Sequence, residues 1–413
     1  MTGVLDDSTG SAPAAATRGC PVIHEEFSAP RTQGAHWALA DRLREQGGVH
    51  WNDQAQGWWM FTSNAAVRDI FRYPQLFSSR SITPWDPDPA YVTVPTMIDG
   101  QEHLRYRRLL NPWFTAENVR RHEDAIRAIA RRRVAEIEPR KRCNFPVDFA
   151  LEYTTELYLQ FTGMPTEDTP KLRAWVDDFF SGYGGDPNAQ EAMGNAVAGL
   201  TEYLQIAVAE RRTWGGAREG DFASRLMYDS QETDRPFSDQ ELVDLLLLAI
   251  IGGLDTTSSQ LSYLFRHLAG NAGDRRRLLD DPEVVPLAIE EGLRFFPILM
   301  GDGRKVTQDT EFHGVELKEG DMVWAVTSAA NRDPNVYERA NEFVVDRKKN
   351  QHATFALGPH RCLGMHLART SMRIATEEWL AVIPHFRLDA DGVLEERGAG
   401  SMLSPLDVPL AWD

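Results

Sequence analysis

Apolar positions recur every three or four residues along most of this chain, and only in short stretches do they alternate. From Ala35 to Gln46 the spacing of Trp37, Leu39 and Leu43 predicts an amphipathic helix. Val49 to Thr62 reads as a short hairpin: Trp51, Trp58, Trp59 and Phe61 surround turn signals at Asn52, Asp53 and Gly57, and aromatics grouped like this belong to a core. Asn64 to Phe71 is a further helix, capped by Ser63 or Asn64. Ser78 to Gly100 breaks the pattern with four prolines and few periodic positions, a long loop of the functional or disordered kind. Helices return over 144–163 and 169–183, and a longer one runs through Arg211, with loops at 214–220 and 230–236. Ser238-Asp-Gln-Glu241 is a capping box that opens an apolar helix ending near Gly270. At ~1.5 Å per residue that helix is about 50 Å long, enough to cross the molecule.

Val285 to Phe296 is helical again, Val306 to Thr327 alternates like strands around the turn Lys318–Asp321, and a helix follows Cys362 to about Ile383. The tail to Asp413 is β-rich. The fold class is therefore mainly α with a smaller β region (α+β). Residues 1–25 read as a disordered tail and 26–413 as a single domain. Composition changes this picture little: 413 residues, 42% hydrophobic and 25% charged, describe an ordinary globular protein. The net charge of −17 argues against nucleic acid as a partner. Three widely spaced cysteines form no disulfide framework and suit a reducing cytoplasm. No run reaches the ~18 apolar residues of a membrane span, and the small, polar N-terminus is neither signal nor anchor.

The chemistry gathers at a few points. Cys362 sits between Gly358 and Gly364 and just before a helix, where unpaired amides, the helix dipole and the neighbours Arg361 and His360 favour a thiolate suited to a haem iron. The apolar central helix carries Gly252-Gly253-Leu-Asp255-Thr256-Thr257. An acid and hydroxyls there are costly unless hydrogen-bonded, and Thr256 can bond back to the carbonyl four residues earlier. Paired glycines would let a flat ligand lie against the backbone. His103 and Arg107 stand four apart, so two donors share one helical face and suit a pair of carboxylates. Glu291 and Arg294 stand three apart and can pair on a helix surface. Between Leu104 and Arg142 twelve basic residues face five acidic ones, either a solvated helix face or, for Arg72, Arg107 and Arg108, a docking patch for an acidic electron donor.

The frame Phe355-x-x-Gly358-x-His360-x-Cys362-x-Gly364 resembles the haem-binding signature of the cytochrome P450 family, with all five defining residues present. The resemblance covers residues from about 30 to 413 in the right motif order. It implies a single α-rich fold holding one haem b (iron protoporphyrin IX) between the central helix and the Cys362 loop, with Cys362 as the axial thiolate. It implies insertion of one oxygen atom from dioxygen into a C–H bond. Asp255 and Thr256 would direct protons to the distal side, and His103, Arg107, Arg304 and His360 would neutralise the haem propionates with Asp302 bonding nearby. Phe355 and Gly364 complete the cofactor loop, and Glu291–Arg294 matches the family's structural pair. Pocket positions on the same resemblance are Tyr91, Thr96, Leu248, Ile251, Leu299 and Met402. Tyr91 either donates a hydrogen bond to an oxygenated substrate, as in the camphor-hydroxylase branch, or is a buried tyrosine bonded to backbone.

The expected substrate is a small, mostly apolar terpenoid or aromatic. No flavin, zinc or iron–sulfur motif is present. Electrons would come from a ferredoxin, with ferredoxin reductase and NAD(P)H, to a cytoplasmic monomer bound to neither membrane nor nucleic acid. Two alternatives stay open, a peroxide-driven peroxygenase of the same fold and a non-catalytic haem sensor or binding protein.

Overall fold

The computed structural model describes residues 20–27, 31–32, 34–89, 92–182, 187–399 and 402–413. Tyr91 and residues 1–19 of the expected tail lie outside them. Within that tail, Val22–Ile23 is a strand pairing in parallel with Trp51–Asn52. An apolar pair can extend a sheet edge even where its sequence neighbours are polar.

The central helix is Asp239–Gly270, and both arms of its capping box are made: Ser238 Oγ accepts from Glu241 N at 3.2 Å and Ser238 N donates to Glu241 Oε2 at 2.8 Å. Its first half buries Leu242, Val243, Leu246, Ile250 and Leu254 in one core with Leu159, Val176, Leu204 and Met227. Its second half buries Leu261, Leu264, Phe265 and Leu268 in another with Phe149, Ala288, Ile374 and Trp379. At roughly 1.5–3 kcal/mol per buried aliphatic side chain, these two cores anchor the helix far more firmly than a cap worth about 1 kcal/mol. By length and composition alone this helix could cross a membrane, a property masked in the sequence by its polar positions 255–260. Its apolar faces are taken up by protein instead. Between the two cores Gly252 and Gly253 are exposed and Ile251, Thr256 and Thr257 only half buried. The molecule is open at the middle of its longest helix.

A six-stranded sheet flanks the helices, running Val22–Ile23, Val49–Asn52, Trp58–Phe61, Met322–Ala325, Asp302–Val306 and Phe77–Ser78 in spatial order. The expected hairpin is its second and third strands, with Trp51 opposite Trp59. Trp58, Trp59 and Phe61 are buried, as aromatic grouping predicts. Gly57 has φ +79°, and a Cβ there would meet the Trp51 ring at 2.1 Å, so the turn requires glycine. The predicted helix over 144–163 is in fact composite. Arg142–Asn144 is a strand, a wide turn over Phe145–Ala150 contains Pro146, and regular helix covers Leu151–Thr162. Proline without an amide hydrogen explains the loose first turns. Phe222–Ser230 is a helix that the hydrophobic pattern missed, capped by Asp221, which accepts from Ser224 N at 2.6 Å.

Candidate functional site

Gly358–His360 forms a tight turn whose first residue has φ +68°. A Cβ on Gly358 would lie 2.4 Å from Phe71 O, so the loop can press against Asn64–Arg72 only because residue 358 is glycine. Cys362 N donates to Phe355 O at 2.8 Å. Gly364 caps the helix Met365–Val382, and its amide donates to the Cys362 sulfur. The sulfur lies deep in the fold, yet the residue is exposed, and Leu363 to Thr370 are all half buried although their helix packs on the central one. These features describe an internal hollow. Burial pushes the Cys362 thiol up, and the Gly364 amide with Arg107, Arg369 and Arg361 only partly opposes it. The donors expected around the sulfur are in place, and desolvation is the larger effect on the thiol.

On the helix Gly100–Leu110, His103 and Arg107 do share the inward face. The His103 ring stacks on His360 with centroids 4.0 Å apart. Burial, then His360 and Arg107, lower His103 to about 4, with Asp99 opposing. His360 Nε2 instead meets Asp99 Oδ1 at 2.9 Å, and Asp99 Oδ2 also accepts from Ser78 Oγ at 2.6 Å and Ser79 N at 3.0 Å. Burial would raise Asp99, but the bonds from His360 and Ser78 overcome it and leave the carboxyl lowered.

Arg107 donates to Arg361 O at 3.0 Å and Arg304 to Gly303 O at 2.6 Å. Among the described residues neither guanidinium has a carboxylate within 4.0 Å, and burial lowers both. Asp302 begins the strand that carries Arg304. Arg107 near the Cys362 sulfur, and Arg304 with Asp302 and Asp99 acting on it only beyond ion-pair distance, fit a flat group bearing carboxylates and a thiolate-binding metal. Room for its plane exists, since a Cβ on Gly253 or Gly364 would meet nothing within 4 Å.

Across the hollow, Asp255 is 7% exposed. Burial raises its carboxyl to about 6, with Arg397 opposing, Asp177 reinforcing and Ser259 opposing. Thr256 Oγ1 donates to Gly252 O at 2.7 Å, the back-bond that the sequence allowed. Its lone pairs remain available as acceptors. Leu248 and Ile251 are half buried on the same helix, and Thr96 half buried in the turn before Asp99. Leu299 and Met402 meet in an antiparallel bridge, with Leu403 N donating to Ile298 O at 2.7 Å. Val94, Ile98, Ile251, Leu363 and Met402 all pack partly buried on one core, which gives the hollow an apolar lining.

Glu291 and Arg294 are not a surface pair. Both are 0% exposed and bonded at 2.7 and 2.8 Å, with Arg294 also donating to the carbonyls of Asn331, Ala340 and Glu342. The basic stretch resolves mostly into ion pairs: Arg127 with Glu377 and Glu378, Arg131 with Glu378, Arg133 with Glu152 and Glu156. Arg72, Arg108 and Arg361 stay exposed, while Arg107 turns inward and leaves the expected docking patch. Sequence reasoning missed Asp99, Arg397 and Ser404. Asp99 closes a proline-rich loop and the other two stand in the β-rich tail, where nothing local marks their distant partners.

Residues 169–280 and 277–396 match the family described as Cytochrome P450. The chain is 31% identical to the steroid C26-monooxygenase of Mycolicibacterium smegmatis, over 85% of this chain and 86% of that one. It is 30% identical to the mycinamicin IV hydroxylase/epoxidase of Micromonospora griseorubida, over 86% and 89%. Among solved structures it resembles CYP101J2 with TM-score 0.82 and 29% identity over 100% of both chains. It resembles the bottromycin biosynthetic protein SalCYP with TM-score 0.81 and 30% identity over 96% and 95%.

Proposed function

The chain belongs to the cytochrome P450 family and is a haem b monooxygenase, and from that premise we propose that Cys362 would hold the haem iron and that the reaction is hydroxylation of a small, mostly apolar terpenoid or aromatic. The balance is one C–H bond, dioxygen, two electrons and two protons giving C–OH and water. When bound, the haem supplies the iron at which dioxygen is reduced and from which one oxygen reaches carbon. The observation that carries the assignment is the Cys362 sulfur held by the Gly364 amide with Arg107 near it, while neither Arg107 nor Arg304 has a carboxylate within 4.0 Å among the described residues.

Arg107 and Arg304 would hold the cofactor carboxylates as cations, with His103 and His360 as further donors, His360 being positioned through its Nε2 on Asp99, and Asp302 bonding beside Arg304. Phe355 fixes the loop through its carbonyl, and Gly364 holds the sulfur through its amide. Asp255 exchanges protons between solvent and the hollow, a role its raised carboxyl suits because both forms are populated near pH 6. Thr256, its hydrogen committed to Gly252 O, accepts a hydrogen bond from water in the hollow. Thr96, Leu248, Ile251, Leu299 and Met402 line the substrate space and exclude bulk water, and Tyr91 is assigned to substrate binding on the family resemblance alone. Glu291–Arg294 holds residues 331–350, the segment that leads toward the cofactor loop.

A ferredoxin, reduced by its reductase and NAD(P)H, supplies electrons at the exposed Arg72, Arg108 and Arg361. The free Cys20, Cys143 and Cys362 suit a cytoplasmic, monomeric enzyme. The test is a spectral-shift screen of small terpenoids and phenolic ethers on the ferric protein, then product analysis with a surrogate ferredoxin pair. Cys362→Ala must abolish the red-shifted carbonyl band of the reduced protein, and a retained band removes the ligand assignment. Turnover with peroxide that no donor protein improves would replace the monooxygenase cycle with the peroxygenase reading. If no small organic ligand displaced the distal water spectrally, a sensor would fit better.

A further inference from the structure

Asp99 stands at the N-cap of the helix Gly100–Leu110 with the extended backbone of a cap, yet its side chain makes no capping bond. Aspartate is among the strongest N-cap residues, so here the carboxylate is diverted to other partners. It divides its two oxygens between two distant segments. Oδ2 accepts from Ser78 Oγ at 2.6 Å and from Ser79 N at 3.0 Å, 21 and 20 residues back along the chain. Oδ1 meets His360 Nε2 at 2.9 Å, 261 residues further on, in the cofactor loop.

Each partner belongs to a different part of the site. Ser78 ends the strand Phe77–Ser78, which pairs with Val306 and Lys305, next along from Arg304. The chain after Ser78 is fastened to that strand again, Gly303 N donating to Ile82 O at 2.7 Å. The charge of Asp99 also reaches Arg304, beyond ion-pair distance. Directly ahead of Asp99, residues 93–98 form a compact turn, with Met97 N donating to Thr93 O at 2.8 Å and Ile98 N to Pro95 O at 3.3 Å. Met97 anchors the turn in the fold at 2% exposure, and the turn holds Thr96 together with Val94 and Ile98 of the apolar lining. A single carboxylate therefore joins one wall of the substrate space, the sheet that carries Arg304 and the histidine of the cofactor loop.

We propose that Asp99 is a positioning residue that couples the two sides of the site. It fixes the His360 ring, which would hold the cofactor carboxylates, and through the same side chain sets where residues 93–98 stand against the hollow. A shift of either segment is passed to the other, because neither can move without giving up a hydrogen bond to a charged group. How firmly the cofactor is held thus depends on the substrate-side wall. This rests on the reading of His360 as a holder of the cofactor carboxylates.

The test is a double-mutant cycle on the holoenzyme, read as the rate of haem transfer to excess apomyoglobin. Asp99→Asn should speed transfer roughly 10- to 100-fold, the effect of losing a hydrogen bond to a charged group. Ser78→Ala removes bonds on the substrate side only, those with Asp99 and Arg80 N. It should nevertheless speed transfer, by about threefold, and should add nothing further in the Asp99→Asn background. The haem reduction potential should rise in Asp99→Asn, which loses a negative charge, and stay unchanged in Ser78→Ala, a split that a merely structural defect would not give. Transfer that Ser78→Ala leaves unchanged, or accelerates equally in both backgrounds, overturns the coupling, and so does an unmoved potential in Asp99→Asn. If His360→Phe retains its haem as firmly as the wild type, the carboxylate-holding reading of His360 itself falls, and the role of Asp99 with it.

Discussion

Replacing Glu291 with glutamine removes one charge and almost no volume from the most enclosed ionic cluster in the molecule. The carboxylate accepts from Arg294 Nε at 2.8 Å and Nη2 at 2.7 Å, Arg347 Nε at 2.9 Å, Val344 N at 2.7 Å and Asn350 Nδ2 at 3.1 Å. A glutamine oxygen can serve about half of these donors, and its own amide hydrogens would face the rest. The backbone carbonyls around Arg294 remain, so the arginine is solvated by dipoles but not neutralised. Breaking a buried pair from one side costs about 3–5 kcal/mol, a large part of the 5–15 kcal/mol typical of a whole protein. Urea unfolding of Glu291→Gln, followed by tryptophan fluorescence, should show that loss. The control is Arg121→Gln, whose partner Glu117 lies in an ion pair with side chains 70% and 74% exposed, and it should change stability by less than about 1 kcal/mol. A Glu291→Gln loss no greater than the control would refute the claim that this buried pair is a main support of the fold.

Other outcomes are equally direct. Gly358→Ala should destabilise the protein and reduce haem retention during gel filtration, because the added carbon at φ +68° would strike Phe71 O; undiminished retention would mean that the loop can move aside. Thr256→Ala should leave NAD(P)H oxidation running but divert it to peroxide, measured as product per NAD(P)H; tight coupling in that variant would exclude Thr256 from proton handling. Asp255 has a folded-state value of about 6, above the unfolded ~3.9, so the native protein binds the extra proton between those limits. Stability should rise by roughly 3 kcal/mol as pH falls through 6 toward 4 relative to Asp255→Asn, read from urea midpoints. A wild-type curve parallel to that of the variant would refute the raised carboxyl.

How far the chain could be read depended on whether a feature was local. The helix Ala35–Gln46, the capping box at Ser238 and the hairpin around Trp51 and Trp59 follow from spacing and caps within a few residues. The Cys362 loop was legible because glycine, histidine and cysteine sit in one short frame. What stayed hidden depends on distant partners. Asp99 acquires its bonds from residues 21 and 261 positions away, and Arg397 meets Asp255 only through the fold. The sign of the Cys362 shift was hidden for a related reason. Local amides and arginines are visible in sequence, whereas the depth that outweighs them is a property of the packed molecule.

The ribbon of 396–399 and 402–405 ties selectivity to efficiency. Met402 at its turn faces Leu299, while Arg397 and Ser404 two positions further along reach the central helix. An engineer who enlarges or trims residue 402 to admit a different molecule will tug on the strand that Ser404 ties to Ser259 of that helix. In this scaffold a changed substrate range and wasted reducing power should therefore arise together, and compensating substitutions are best sought at Ser404 or Ser259 rather than in the pocket.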